Sequence, residues 1–134
     1  MTDTFSTLTE KLARHPELQW EAGDGFVRVN APVSGGFALE LQHQGGEWTV
    51  FLGSGGWHQH FDDGADALEF IAWCYSGNVR VREVWRGTSL QKSVLETQVD
   101  GAWRQTSHTG YFLVPFWRKK TEVIMQNPDL LAPA

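Results

Sequence analysis

The chain of 134 residues contains a single cysteine, Cys74, so no disulfide can form within it. Cys74 lies among apolar residues of a predicted helix, and burial in such surroundings raises the pKa of a thiol and makes it inert. We therefore predict that Cys74 is a buried, reduced core residue rather than a nucleophile.

Long apolar runs are also lacking, because no stretch approaches the roughly 20 residues that a membrane-spanning helix needs. The first residues, Met1–Phe5, have neither the basic start nor the apolar stretch of a signal peptide. We therefore expect a cytoplasmic protein without a membrane partner.

Positive charge is in the minority, with 11 Lys and Arg against 16 Asp and Glu and a formal net charge of −5. Phosphate binding relies on clustered cations, so this balance predicts no nucleic-acid partner. Apolar and aromatic residues are plentiful: 41% of the chain is hydrophobic, including seven Trp and eight Phe. That composition predicts a globular protein with a large aromatic core.

Two segments have helical spacing. The first covers Thr4–Arg14 and is ended by Pro16, because the residue before a proline is pushed out of helical angles. The second begins at Asp62 or Asp63, either of which would cap the first turn, and stops at Gly77.

Short alternating segments separated by glycine turns predict strands. Gly45-Gly46 and Asp100-Gly101 are both typical of two-residue hairpin turns. The predicted strands are Leu18–Ala22, Phe26–Ala31, Phe37–His43, Trp48–Leu52, Val79–Arg86, Leu90–Val99, Ala102–Ser107, Tyr111–Phe116 and Arg118–Met125.

This order predicts the α+β class, with antiparallel β-meanders and an N-terminal and a central helix packed on the sheet. We expect a single α+β domain over residues 1–134, with 127–134 as a frayed tail.

The segment Trp57–Phe61 carries a His-X-His pair that is followed by two aspartates. On a strand, His58 and His60 project from the same face. With Asp62 or Asp63 behind them, they form a candidate site for zinc or another divalent metal. The competing interpretation is that the histidines are only the polar face of a strand and that the aspartates cap the next helix.

A second candidate site is a basic and aromatic binding surface. It comprises alternate residues of one predicted strand and a later cluster: Arg80, Arg82, Arg86, Trp117, Arg118 and Lys120. Such side chains suit an acidic partner or a phosphate. The alternative is a solvated strand face whose charges prevent edge-to-edge pairing.

Two segments carry a resemblance. Gly56–Phe61 (Gly-Trp-His-Gln-His-Phe) and Pro115–Lys120 (Pro-Phe-Trp-Arg-Lys-Lys) resemble those of a group of small uncharacterised bacterial proteins. The resemblance implies a bacterial, intracellular, single-domain protein. It carries over no catalytic residue, because that group has no established activity. In size and acidity the chain is also similar to toxin-neutralising immunity proteins.

Three functions remain open. No serine, cysteine or glycine-rich loop completes a recognisable catalytic set, so the first hypothesis is a non-enzymatic module that binds another protein and needs no cofactor. The second is a metal-binding protein or metal-dependent hydrolase centred on His58, His60 and either Asp62 or Asp63. The third is a small-ligand pocket lined by tryptophans between the sheet and the central helix.

Overall fold

The computed structural model of the protein describes residues 4–53, 57–110 and 118–128, and all their side chains except those of 108–110. These residues form two helices and nine strands in the order α1 (Thr4–Ala13), β1 (Trp20–Gly23), β2 (Phe26–Val29), β3 (Leu39–Gln44), β4 (Glu47–Leu52), β5 (Trp57–Phe61), α2 (Gly64–Cys74), β6 (Val79–Arg86), β7 (Ser89–Val99), β8 (Ala102–Gly110) and β9 (Lys120–Gln126).

The predicted α+β class is confirmed. One antiparallel sheet is a five-stranded meander in the order β1-β2-β3-β4-β5, and the other has the order β8-β7-β6-β9. The last described strand therefore returns to pair with β6 rather than continuing beside β8. The predicted strand Tyr111–Phe116 lies outside the described residues.

Both predicted hairpin turns are confirmed. Gly45 and Gly46, which join β3 to β4, have φ angles of 62° and 82°, and Asp100 and Gly101, which join β7 to β8, have 53° and 79°. Positive φ at both central residues gives a turn whose twist matches that of the flanking strands. Glycine adopts this conformation without steric cost, which explains its place in each turn.

Several predicted strand ends are displaced. The strand predicted from Leu18 begins at Trp20, and the strand predicted from Phe37 begins at Leu39. Leu18 and Phe37 are nevertheless 5% and 0% exposed, respectively. These two residues are apolar because they are buried in the core, although neither lies on a strand. A hydrophobic pattern indicates burial and does not show whether a buried residue is also paired in a sheet.

The core combines both helices and both sheets. Alternate residues of β2, β3 and β4 turn inward, as the predicted period of two requires. They join one cluster with residues of α1, α2 and the second sheet: Leu8, Leu12, Val27, Val29, Leu39, Leu41, Val50, Leu52, Ala67, Ile71, Tyr75, Val79, Val81 and Leu95. None of the described helices is long and apolar enough to cross a membrane.

Asn127, near the end of the described chain, forms two side-chain hydrogen bonds with the backbone of Phe37. Its Oδ1 accepts a hydrogen bond from the backbone N–H of Phe37 at 2.7 Å, and its Nδ2 donates to the backbone C=O of Phe37 at 3.1 Å. Asn127 is 1% exposed. The prediction that the frayed tail starts at Asn127 is therefore wrong for this residue, because its amide satisfies buried backbone groups; residues 129–134 lie outside the described part.

Asp63, rather than Asp62, caps α2. Asp63 has extended backbone angles, and its Oδ1 accepts a hydrogen bond from the Ala65 N–H at 2.9 Å. A side-chain oxygen in this position satisfies one of the free amides of the first turn. Of the two aspartates that the sequence offered as the cap, Asp63 is therefore the one that caps the helix.

We predict that Asp63→Ala lowers the free energy of unfolding by about 1 kcal/mol, because it removes this cap. Asp62→Ala is the matched control: it removes the same charge beside the same helix without touching the cap. Urea denaturation of both variants measures the difference. Equal losses would show that the helix dipole, rather than the hydrogen bond, accounts for the effect.

We also predict that Asn127→Ala lowers the free energy of unfolding by about 2–4 kcal/mol, because it leaves two buried backbone groups of Phe37 unsatisfied. The exposed Asn30 provides a control, since Asn30→Ala is expected to change stability by less than about 0.5 kcal/mol. Thermal and urea unfolding measure both. A similarly small effect at Asn127 would contradict the structural role assigned to it.

Candidate functional site

The five-stranded sheet has one face directed away from the helices, which we call the open face. Cross-strand pairing aligns its side chains in two rows, because partners in register point to the same side. The two rows consist of Glu21, Phe26, Arg28, Glu40, Gln42, Thr49, Phe51, His58 and His60, and the pair Gln44 and Glu47 continues the open face at one end. Among the described elements, the helices share the core cluster with the opposite face.

Glu40 is the electrostatic centre of the open face. Its Oε1 lies 2.7 Å from Arg28 Nε and 2.6 Å from Arg28 Nη2, and Gln42 Nε2 donates to its Oε2. Arg28 Nη1 also lies 3.3 Å from Glu21 Oε1, and the Arg28 guanidinium carbon lies 5.8 Å from the ring centre of Phe26. These contacts hold a half-exposed guanidinium in place above the sheet.

The two histidines project from the same face of β5, which confirms the geometry expected of the His-X-His pair. His60 Nδ1 lies 2.7 Å from Glu47 Oε1 and 3.0 Å from Thr49 Oγ1. The His58 ring lies 5.6 Å from that of Phe51 and 5.4 Å from that of His60. Each ring thus contacts neighbouring side chains of the open face.

Of the predicted metal ligands, the two histidines lie side by side, with ring centres 5.4 Å apart. Asp62 follows the end of β5 and is exposed. Within the part of the chain that the structure describes, no three His, Cys, Asp or Glu side chains are grouped so that they could hold a metal ion. His58, His60 and Asp62 therefore lack the convergence that the sequence interpretation required.

Three shallow cavities cover much of the open face. Their volumes are about 480, 290 and 360 Å³, and Gln42 lines all three. Arg28 and Glu40 line the first two, whereas His58 and His60 line the third. The cavities therefore adjoin around Gln42 and give the open face a broad, uneven surface rather than one deep pocket.

The predicted basic surface is largely neutralised within the protein. Arg80 Nε lies 2.8 Å from Glu96 Oε1, and the Arg80 guanidinium carbon lies 4.3 Å from the ring centre of Trp103. Arg82 lies 3.5 Å from Glu96 Oε2 and 3.2 Å from Glu122 Oε1. These arginines are consequently bound to carboxylates of neighbouring strands.

The remaining members of that surface are more scattered. Arg86 Nη1 donates to the backbone C=O of Arg118 at 3.4 Å, and Lys120 Nζ lies 3.8 Å from Glu122 Oε1. Trp117 lies outside the described residues. Because β6 is an interior strand between β7 and β9, its three arginines do not protect a sheet edge, whereas Lys120 lies on β9, the last strand in the order of the described sheet.

Cys74 is buried and free, as predicted. Burial raises the pKa of its thiol. Burial is the main cause that raises the pKa of the Tyr75 hydroxyl, and the neighbouring Cys74 raises it further. Both groups therefore remain protonated at neutral pH and belong to the core.

Sequence reasoning missed the network around Glu40. The alternation in β3 indicated that Glu40 and Gln42 lie opposite the buried Leu39 and Leu41, so a wetter face was detectable. Nothing in the spacing showed that Arg28 and Phe51, on the two neighbouring strands, would adjoin Glu40. That contact depends on strand register, which is set by the tertiary structure.

Comparison with protein-family models, with curated proteins and with solved structures gives no match. We therefore infer function from the geometry of the described residues.

We predict that Glu96→Gln lowers the free energy of unfolding by about 1–3 kcal/mol, because two partly buried guanidinium groups lose their shared carboxylate. Glu122→Gln removes a carboxylate that is 43% exposed and should cost less than about 1 kcal/mol. Urea denaturation at low and high salt compares the two. Equal losses of unfolding free energy in the two variants would show that the carboxylate shared by Arg80 and Arg82 is no more important than the exposed one.

Proposed function

We propose that this protein is a binding module that engages another protein through the open face of its five-stranded sheet. The observation that carries the proposal is the composition and position of that face. Nine side chains of mixed chemistry point away from the core in two aligned rows. Arginine and aromatic residues among them are the types enriched at protein interfaces.

The internal contacts of the open face also favour binding. Arg28 is held by Glu40 and Glu21, and His60 is held by Thr49 and Glu47. Side chains that already have a fixed geometry lose less conformational freedom when a partner arrives. A broad surface with adjoining shallow cavities suits a protein surface better than it suits a deeply enclosed small molecule.

The charge of this region indicates the chemistry of the partner. Glu21 and Glu40 flank the guanidinium of Arg28, and Glu47 lies beside His60, so carboxylates outnumber permanently charged cations here. A partner surface rich in hydrogen-bond donors or basic side chains would be complementary. The similarity in size and acidity to immunity proteins makes a toxin or secreted effector encoded beside this protein the first candidate to test.

Site-specific photo-crosslinking tests this proposal. A benzophenone amino acid at exposed His58 reports on the open face, and the same probe at exposed Glu10 of α1 serves as the control. A third probe at Lys120 samples the basic surface that the sequence also favoured. In cells of the native bacterium, we expect one protein to be crosslinked from His58 but not from Glu10.

The identified partner is then purified and titrated by calorimetry. Thr49→Arg places a bulky cation in the middle of the open face and should weaken binding by about ten-fold or more. Glu10→Arg introduces the same side chain elsewhere and should leave affinity unchanged. Equal crosslinking from all three positions, or full affinity of the Thr49 variant, would contradict the proposal; crosslinking from Lys120 alone would move the interface to the second sheet.

A further inference from the structure

Helix α2 carries a groove on its outward side, at the margin of the core. Asp66, Glu69, Phe70 and Trp73 line a cavity of about 430 Å³ there. Their spacing of three and four residues places them along one side of the helix. Trp73 is 36% exposed, a large fraction for a side chain of this size.

The aromatic floor of the groove is anchored in the protein. The Phe70 ring is stacked on that of Trp57 at 5.5 Å and lies 5.5 Å from that of Phe61. Trp57 itself is 1% exposed, and its indole N–H donates to Ser107 Oγ at 3.3 Å. Trp73 then meets Phe70 edge-on, with ring centres 6.1 Å apart. A fixed floor of this kind loses little freedom when a ligand binds.

The rim of the groove carries two carboxylates that have no cation beside them among the described residues. Asp66 and Glu69 are both exposed, and in the described part of the chain neither side chain has an ion pair or a hydrogen bond. By contrast, most carboxylates on the two sheets face a cation. The groove thus combines two carboxylates that have no partner among the described residues with the exposed indole of Trp73 and the half-buried ring of Phe70.

We propose that this groove binds a lysine or arginine side chain from an extended segment of another protein. The aliphatic stem of such a side chain would lie along Phe70 and Trp73, and the cationic end would reach Asp66 and Glu69. A neutral or acidic segment would leave the carboxylates unpaired, so charge complementarity selects a basic partner. The groove lies on α2 and not on the open face, so a negative result for one proposal does not contradict the other.

Titration with a short peptide, followed by two-dimensional NMR of the folded protein, tests this inference. The probe is acetyl-Leu-Arg-Leu-Arg-amide, and the matched peptide with glutamate in place of arginine is the negative control. We expect saturable shifts in the indole N–H of Trp73, identified from Trp73→Phe, and in the amides of residues 66–73. Signals of the open face should not move.

The variant Asp66→Asn with Glu69→Gln should bind the arginine peptide about ten-fold more weakly while keeping the aromatic floor. Glu10→Gln, at an exposed acid of α1, should bind as the original protein does, and the dispersion of the spectra confirms folding in each case. Equal affinity of the doubly neutralised variant, equal binding of the glutamate peptide, or no saturable shift at Trp73 would each overturn the proposal.

Discussion

Burial of the inner face of the five-stranded sheet against the two helices is the interaction on which the rest of the structure depends. Leu39, Leu41, Val50 and Leu52 are at most 1% exposed and share one cluster with Leu8, Leu12 and Ile71, among others. Because side chains alternate along a strand, burying one set forces the other set outward. A shift of one residue would exchange the two sets, so the core fixes the register.

The open face is therefore a consequence of the core. The same register that buries Leu41 against Val50 places Glu40 opposite Arg28 and Phe51. The strand register that forms the core is therefore sufficient to bring the members of the polar network together. This coupling makes a sheet face a suitable platform for recognition, because the positions of the contacting groups are set before a partner arrives.

Charge is distributed unevenly over the molecule, although the net charge is modest. On the second sheet Glu96 lies between Arg80 and Arg82, and Glu122 also contacts Arg82, so these two arginines face two carboxylates. On α2 the opposite holds, since Asp66 and Glu69 have no cation beside them in the described residues. Side-chain charge in the sequence thus says less about a binding surface than the pairing that the fold imposes.

The sequence by itself determined the helices, the two-residue hairpin turns and the alternation of the strands, because each depends on residues close together in the chain. It also placed His58 and His60 on one face. Only the tertiary structure decided that β9 pairs with β6, that Asn127 holds Phe37, and that Glu96 forms ion pairs with two arginines. These contacts join residues that are far apart in sequence, and their formation depends on how the whole core packs, which no local pattern encodes.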